Sequence, residues 1–86
     1  GELVIAGEID AHTAPALAEA ITGAGPDLTI DMSGIEFVDS SGLRVLIDAH
    51  QAAESGGGSL TLSNPSPAVT RLLEISGVVD YLNVRT

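Results

Sequence analysis

Cysteine is absent from this 86-residue chain, which excludes disulfides and thiolate metal sites and fits a reducing compartment such as the cytoplasm. Lysine is absent too, and three arginines face twelve carboxylates. A formal charge of -9 repels nucleic acid and anionic lipid, both of which need a cationic footprint. Tryptophan is missing, and phenylalanine and tyrosine occur once each. The core must therefore be aliphatic, and a single small core leaves little room for a large cofactor; none is expected. No apolar run is long enough to span a membrane. The first residues, Gly1 to Ile5, carry no basic n-region.

What is present is an aliphatic chain, 44% AVILMFWYC, in which hydrophobic periods of two and 3.6 alternate. Glu2 to Ala6 reads as a strand ended by Gly7. Ala14, Leu17, Ala18 and Ile21 form one face of a helix, with Thr13 as N-cap and Pro15 in its first turn. Leu28, Ile30 and Met32 predict a second strand, Ser33-Gly34 a turn, and Ile35 to Val38 a return to the interior. A helix starting near Ser40 or Ser41 follows, with Leu43, Leu46, Ile47 and Ala53 on its core stripe. Leu60 to Leu62 reads as a third strand. Ser66-Pro67 opens a helix that Gly77 closes, and Val79 to Val84 reads as a fourth strand. The order β-α-β-α-β-α-β predicts one α/β domain over residues 1–86 with a largely parallel sheet. The acidic balance favours a basic partner surface, although acidity also serves solubility alone.

Chemistry gathers where strands end. Asp39-Ser40-Ser41-Gly42 joins the end of a strand-like segment to a helix start, where backbone N–H groups are unpaired and the helix dipole is positive. A phosphate on Ser41 finds donors there, and Gly42 leaves room for another molecule. On local sequence alone, a capping role for Ser40 or Ser41 comes first. The segment departs from the nucleophile elbow G-x-S-x-G. His50 lies nine residues after Ser41 on the same helix, about 13 Å along the axis and out of reach. His12, with Asp10 as its orienter, is the one conceivable base, and it reads more simply as an exposed loop residue. The two histidines have no metal-binding spacing, and Gly23-Ala24-Gly25 and Gly56-Gly57-Gly58 are turns, not phosphate loops. Asp10, His12, Asp39 and Ser41 are expected to share one rim at the carboxyl ends of the strands.

Three segments resemble a known family. Gly7-Glu8-Ile9-Asp10 with Thr13 is similar to the G-E-[LI]-D…T segment of STAS domains, the bacterial anti-sigma factor antagonists. Ile35 to Leu43 resembles that family's signature around a phosphorylated serine. Ser66 to Leu73 with Ser76-Gly77 is similar to its third helix. The resemblance covers nearly the whole chain, and its strength lies in three motifs in the right order.

It implies a small mixed, mostly parallel sheet of four or five strands with helices mainly on one face. It also implies partner-switching. An anti-sigma factor that is a serine kinase phosphorylates Ser41 and loses its hold on the antagonist, and a serine phosphatase restores binding. The implied partner surface comprises Asp10, His12, Thr13, Asp39, Ser40, Ser41, Gly42, Leu43 and Arg44. The family usually carries a strand ahead of Gly1, so the resemblance implies a chain lacking that strand, with one sheet edge exposed or differently filled. Arg44 stands where the family commonly has a small residue, and it is a candidate partner for a Ser41 phosphate. Other STAS domains serve transporters, stress-signalling complexes or lipid-transport assemblies, which leaves a scaffold without a switch as the alternative.

Overall fold

β1 (Glu2–Ile9), β2 (Asp27–Val38), β3 (Ser59–Ser63) and β4 (Asn83–Arg85) alternate along the chain with α1 (Ala14–Gly23), α2 (Ser40–Ser55) and α3 (Pro67–Ser76). This computed structural model describes residues 1–85. The sheet order is β1-β2-β3-β4, and each neighbouring pair is parallel. With that order, right-handed crossovers carry all three helices to the same face. Among the described residues there is no antiparallel strand, so the sheet seen is parallel and not mixed.

The two faces of the sheet follow from side-chain alternation. Leu28, Ile30 and Met32 of β2 and Leu60 and Leu62 of β3 point into the helix layer, where they join Leu17, Leu43, Leu46, Val69 and Leu73 in one aliphatic core. Leu3 and Ile5 of β1 pack on its margin. The other face carries Thr29 opposite Thr61 and is open.

Two departures from regular alternation shape β2. Val4 pairs with Asp31 and Ala6 with Gly34, so Ile5 alone stands opposite Met32 and Ser33. Gly7 pairs with Ile35 and Glu8 with Phe37, which leaves Glu36 without a partner. These are β-bulges, each of which inserts one residue and moves the side-chain phase by one. Buried positions accordingly run 28, 30, 32, then 35, then 38. Ser33-Gly34 is therefore a bulge inside a continuous strand and not the expected turn. Gly7, with φ at 88°, likewise does not end β1: without a Cβ it takes this left-handed conformation at the second ladder slip, and the strand continues to Ile9.

Helix termini follow local rules where the side chains permit. The Ser66 hydroxyl accepts from the Val69 amide at 3.3 Å, Pro67 opens α3, and Gly77 closes it with φ at 73°. The chain after Gly77 does not extend as expected. Tyr81 and Leu82 both donate to the Val78 carbonyl, at 3.0 and 3.1 Å, and this turn postpones β4 until Asn83.

Candidate functional site at the carboxyl ends of β1 and β2

Ile9 and Val38 are the last paired residues of β1 and β2, so the next residues, Asp10 and Asp39, leave the sheet side by side. The Asp39 amide donates to the Ile9 carbonyl at 3.1 Å and closes the ladder. Each aspartate then turns its carboxylate onto the backbone that follows.

Asp39 Oδ1 accepts from the amides of Ser41 at 2.8 Å and Gly42 at 3.3 Å. Asp39, in extended conformation, is thus the N-cap of α2, and neither serine fills that role. An acceptor carboxylate here satisfies two of the helix's orphan donors and opposes the positive end of its dipole. The Leu43 amide donates to the Asp39 carbonyl at 3.1 Å. The amides of Ser41, Gly42 and Leu43, which the sequence left open for a phosphate, are therefore already occupied. Ser41 is half-buried and Ser40 exposed, and neither hydroxyl makes a hydrogen bond among the described residues.

Asp10 builds a similar turn ahead of α1. Its Oδ1 accepts from the amides of His12 at 2.9 Å and Thr13 at 3.0 Å, while its own amide donates to Thr13 Oγ1 at 2.9 Å. Thr13 stands at the N-cap position, but its hydroxyl reaches back to Asp10 and caps no helix amide. The Thr13 amide is the main influence holding the Asp10 carboxyl below its ordinary pKa; partial desolvation opposes it, and the His12 amide assists.

Gly42 is buried, and a Cβ placed on it would meet Ile9 Cγ2 and Val38 Cγ2, each at 2.7 Å. Its small size lets the first turn of α2 sit down on the ends of β1 and β2; it opens no space for another molecule. Leu43 is buried in the core and seats the same turn. Arg44 is exposed and lies along α2 toward Asp48, with Nε 3.2 Å from Oδ1. A Ser41 phosphate would have to draw it away from that partner.

His12 is exposed. Among the described residues no hydrogen bond joins its imidazole to Asp10 or Ser41, so the structure does not assemble a Ser-His-Asp relay. His50, which sequence reasoning passed over, is buried at 3% exposure. It packs edge-on against Tyr81 with ring centroids 4.9 Å apart, and its Nδ1 has no hydrogen-bond partner among the described residues. The spacing Leu43, Leu46, His50, Ala53 was the available signal, because those positions share one helical stripe.

A groove of about 430 Å³ lies away from this rim, between α1 and α2 over the starts of β2 and β3. Among the described residues, no group of three or more His, Cys, Asp or Glu is placed to hold a metal ion. Among the same residues no helix is long and apolar enough to cross a membrane.

Fold and rim together define a small α/β domain in which the half-buried carboxylates of Asp10 and Asp39 and the hydroxyls of Ser40 and Ser41 gather at one end of a parallel sheet. Residues 1–84 match the family described as Mlab, STAS domain. The chain is 37% identical over 83 residues to the anti-sigma-B factor antagonist of Bacillus subtilis, covering 93% of this chain and 76% of that protein. Among solved structures it resembles an anti-sigma factor antagonist from Mycobacterium paratuberculosis, with TM-score 0.83 and 30% identity over 99% of this chain and 77% of that one. It also resembles the anti-sigma factor antagonist SpoIIAA in its unphosphorylated form, with TM-score 0.74 and 27% identity over 99% of this chain and 81% of that one. The chain belongs to the STAS domain family of anti-sigma factor antagonists.

Proposed function

We propose that this chain antagonises an anti-sigma factor by partner-switching in the cytoplasm. In this reading the unphosphorylated form binds an anti-sigma factor that is also a serine kinase. Phosphorylation of Ser41 breaks that complex, and a serine phosphatase restores it. The observation that carries the reading is the Ser41 hydroxyl, which makes no hydrogen bond among the described residues at the start of α2 while Asp39 does the capping. A modification there costs the fold no hydrogen bond. The kinship with antagonists, one of them solved in an unphosphorylated form, supports the same reading.

The electrostatics give the switch its direction. Phosphorylation adds about -1.5 to -2 charges. The helix dipole favours them by about 0.3–1 kcal/mol. The nearest helix amides are already taken by Asp39, so the phosphate gains the dipole without their hydrogen bonds and sits near a like charge. In a closed interface the dianion must also lose water, at a cost of several kcal/mol unless it is paired. The interface effect is the larger, so phosphorylation releases the partner and leaves the domain folded. His12, Thr13 and Ser40 complete the partner-facing rim with Asp10, Asp39 and Arg44, while Gly42 and Leu43 shape it from beneath.

The test is incubation of the chain with an anti-sigma factor kinase from the same organism and ATP, followed by intact mass and binding measurements. One phosphate on Ser41, wild-type binding by Ser41→Ala and lost binding by Ser41→Glu are expected. Equal binding by both variants would exclude the switch and leave a scaffold.

A further inference from the structure

Phe37 is the only phenylalanine of the chain, and it is 49% exposed. The bulge at Glu36 put it there. Ile35 points into the core at 2% exposure, so regular alternation would send Phe37 inward as well. The unpaired Glu36 reverses the phase, turning Val38 into the core and Phe37 onto the open face of the sheet. An aromatic side chain is thereby left in water next to the strand end that becomes Asp39 and Ser40.

Phe37 does not stand alone. Its cross-strand neighbour is Glu8. On the same face of β1 lie Ala6 and, farther along, Val4 at 73% exposure. Ala6 faces Gly34, whose missing Cβ would sit 2.9 Å from the alanine Cβ. An apolar strip of Val4, Ala6 and Phe37 thus runs up to the candidate site, and exposed Glu2, Glu8 and Glu36 border it. Neither β1 nor β2 contains a cation.

Resting on the partner-switching reading, we infer that Phe37 is the apolar anchor of the docking surface, received by an apolar pocket on the anti-sigma partner that is ringed with Arg or Lys. Buried aromatic anchors surrounded by a polar rim dominate protein interfaces. Continuity with the Ser41 rim places strip and switch under one partner, and the acidic border selects a cationic ring. A second copy of this chain fits poorly, because pairing the strips would juxtapose Glu8 and Glu36 with their like on a chain of charge -9.

The experiment is calorimetric titration of the unphosphorylated chain with the anti-sigma factor kinase that serves the phosphorylation test, at about 50 and about 300 mM salt. Phe37→Ala should weaken binding roughly tenfold or more. Phe37→Thr, which keeps strand propensity, should do the same if the alanine variant folds poorly. The pair Glu8→Gln and Glu36→Gln should weaken binding mainly at low salt. Ile75→Ser, at an apolar position 73% exposed on α3, should bind unchanged. If the Phe37 variants bind within about threefold of the parent while Ser41→Glu does not bind, the anchor is wrong and the antagonist reading stands. If the parent itself does not bind, both fall. A homodimer in light scattering that Phe37→Ala dissolves would assign the strip to self-association and overturn the inference.

Discussion

Gly42 and Val38 meet so closely that a methyl group on the glycine would lie 2.7 Å from the valine Cγ2. Ile9 presses the same point from β1. The contact joins the first turn of α2 to the strand ends, and it sets where Ser40 and Ser41 stand.

Gly42→Ala is accordingly expected to destabilise the domain. Alanine gains about 1 kcal/mol in helix propensity, but overpacking costs about 1–3 kcal/mol, and two β-branched side chains leave little room to yield. Urea unfolding should show a lower midpoint with an unchanged slope. A raised midpoint would mean that α2 shifts freely on the sheet.

Removing the cap should also be felt. Asp39→Ala frees the Ser41 and Gly42 amides and is expected to cost about 0.5–2 kcal/mol, whereas Asp39→Asn, which retains an acceptor, should recover most of it. Thermal melts of the two variants separate hydrogen bonding from charge. Equal melting points for them would show that the carboxylate's charge, not its acceptor, holds the turn.

Two serines provide an internal contrast. Ser41→Ala removes a hydroxyl that makes no hydrogen bond among the described residues and should stay within about 0.5 kcal/mol of the parent. Ser66→Ala removes a buried N-cap oxygen and should cost about 0.5–2 kcal/mol. The same denaturation assay reads both, and a larger loss at Ser41 would assign its hydroxyl a structural role.

Acid should weaken the fold through Asp10 and Asp31. Both carboxyls are held below their ordinary value of 3.8, chiefly by the amides of Thr13 and Ser33 respectively. The unfolded chain then binds their protons more tightly than the folded one. The stabilisation is complete above the unfolded value and is lost as pH falls through it toward the lower folded values. Asp10→Asn keeps an acceptor without titrating, so its urea midpoint should change less between about pH 5 and pH 2. An unchanged pH profile would deny Asp10 that contribution.

The amino-acid sequence by itself determined the features that depend on near neighbours. The alternation of strands and helices follows from apolar spacing, and the α3 termini follow from Ser66, Pro67 and Gly77. The rim of Asp10 and Asp39 follows from the rule that binding residues collect beyond the carboxyl ends of parallel strands. Tertiary structure decided the rest. Whether Ser33-Gly34 turns or bulges depends on the strand opposite, because a bulge exists only relative to a partner's register. That register also decides that Phe37 faces water while Val38 is buried. His50 is polar by composition, yet it lies on the α2 stripe that packs against the Tyr81 turn. Likewise, Gly42 looked like open space until Ile9 and Val38 were brought against it. The local sequence offered Ser40 or Ser41 as the cap of α2, and the ladder bond from the Asp39 amide to Ile9 gave the role to Asp39 instead by leaving the aspartate extended at the mouth of the helix.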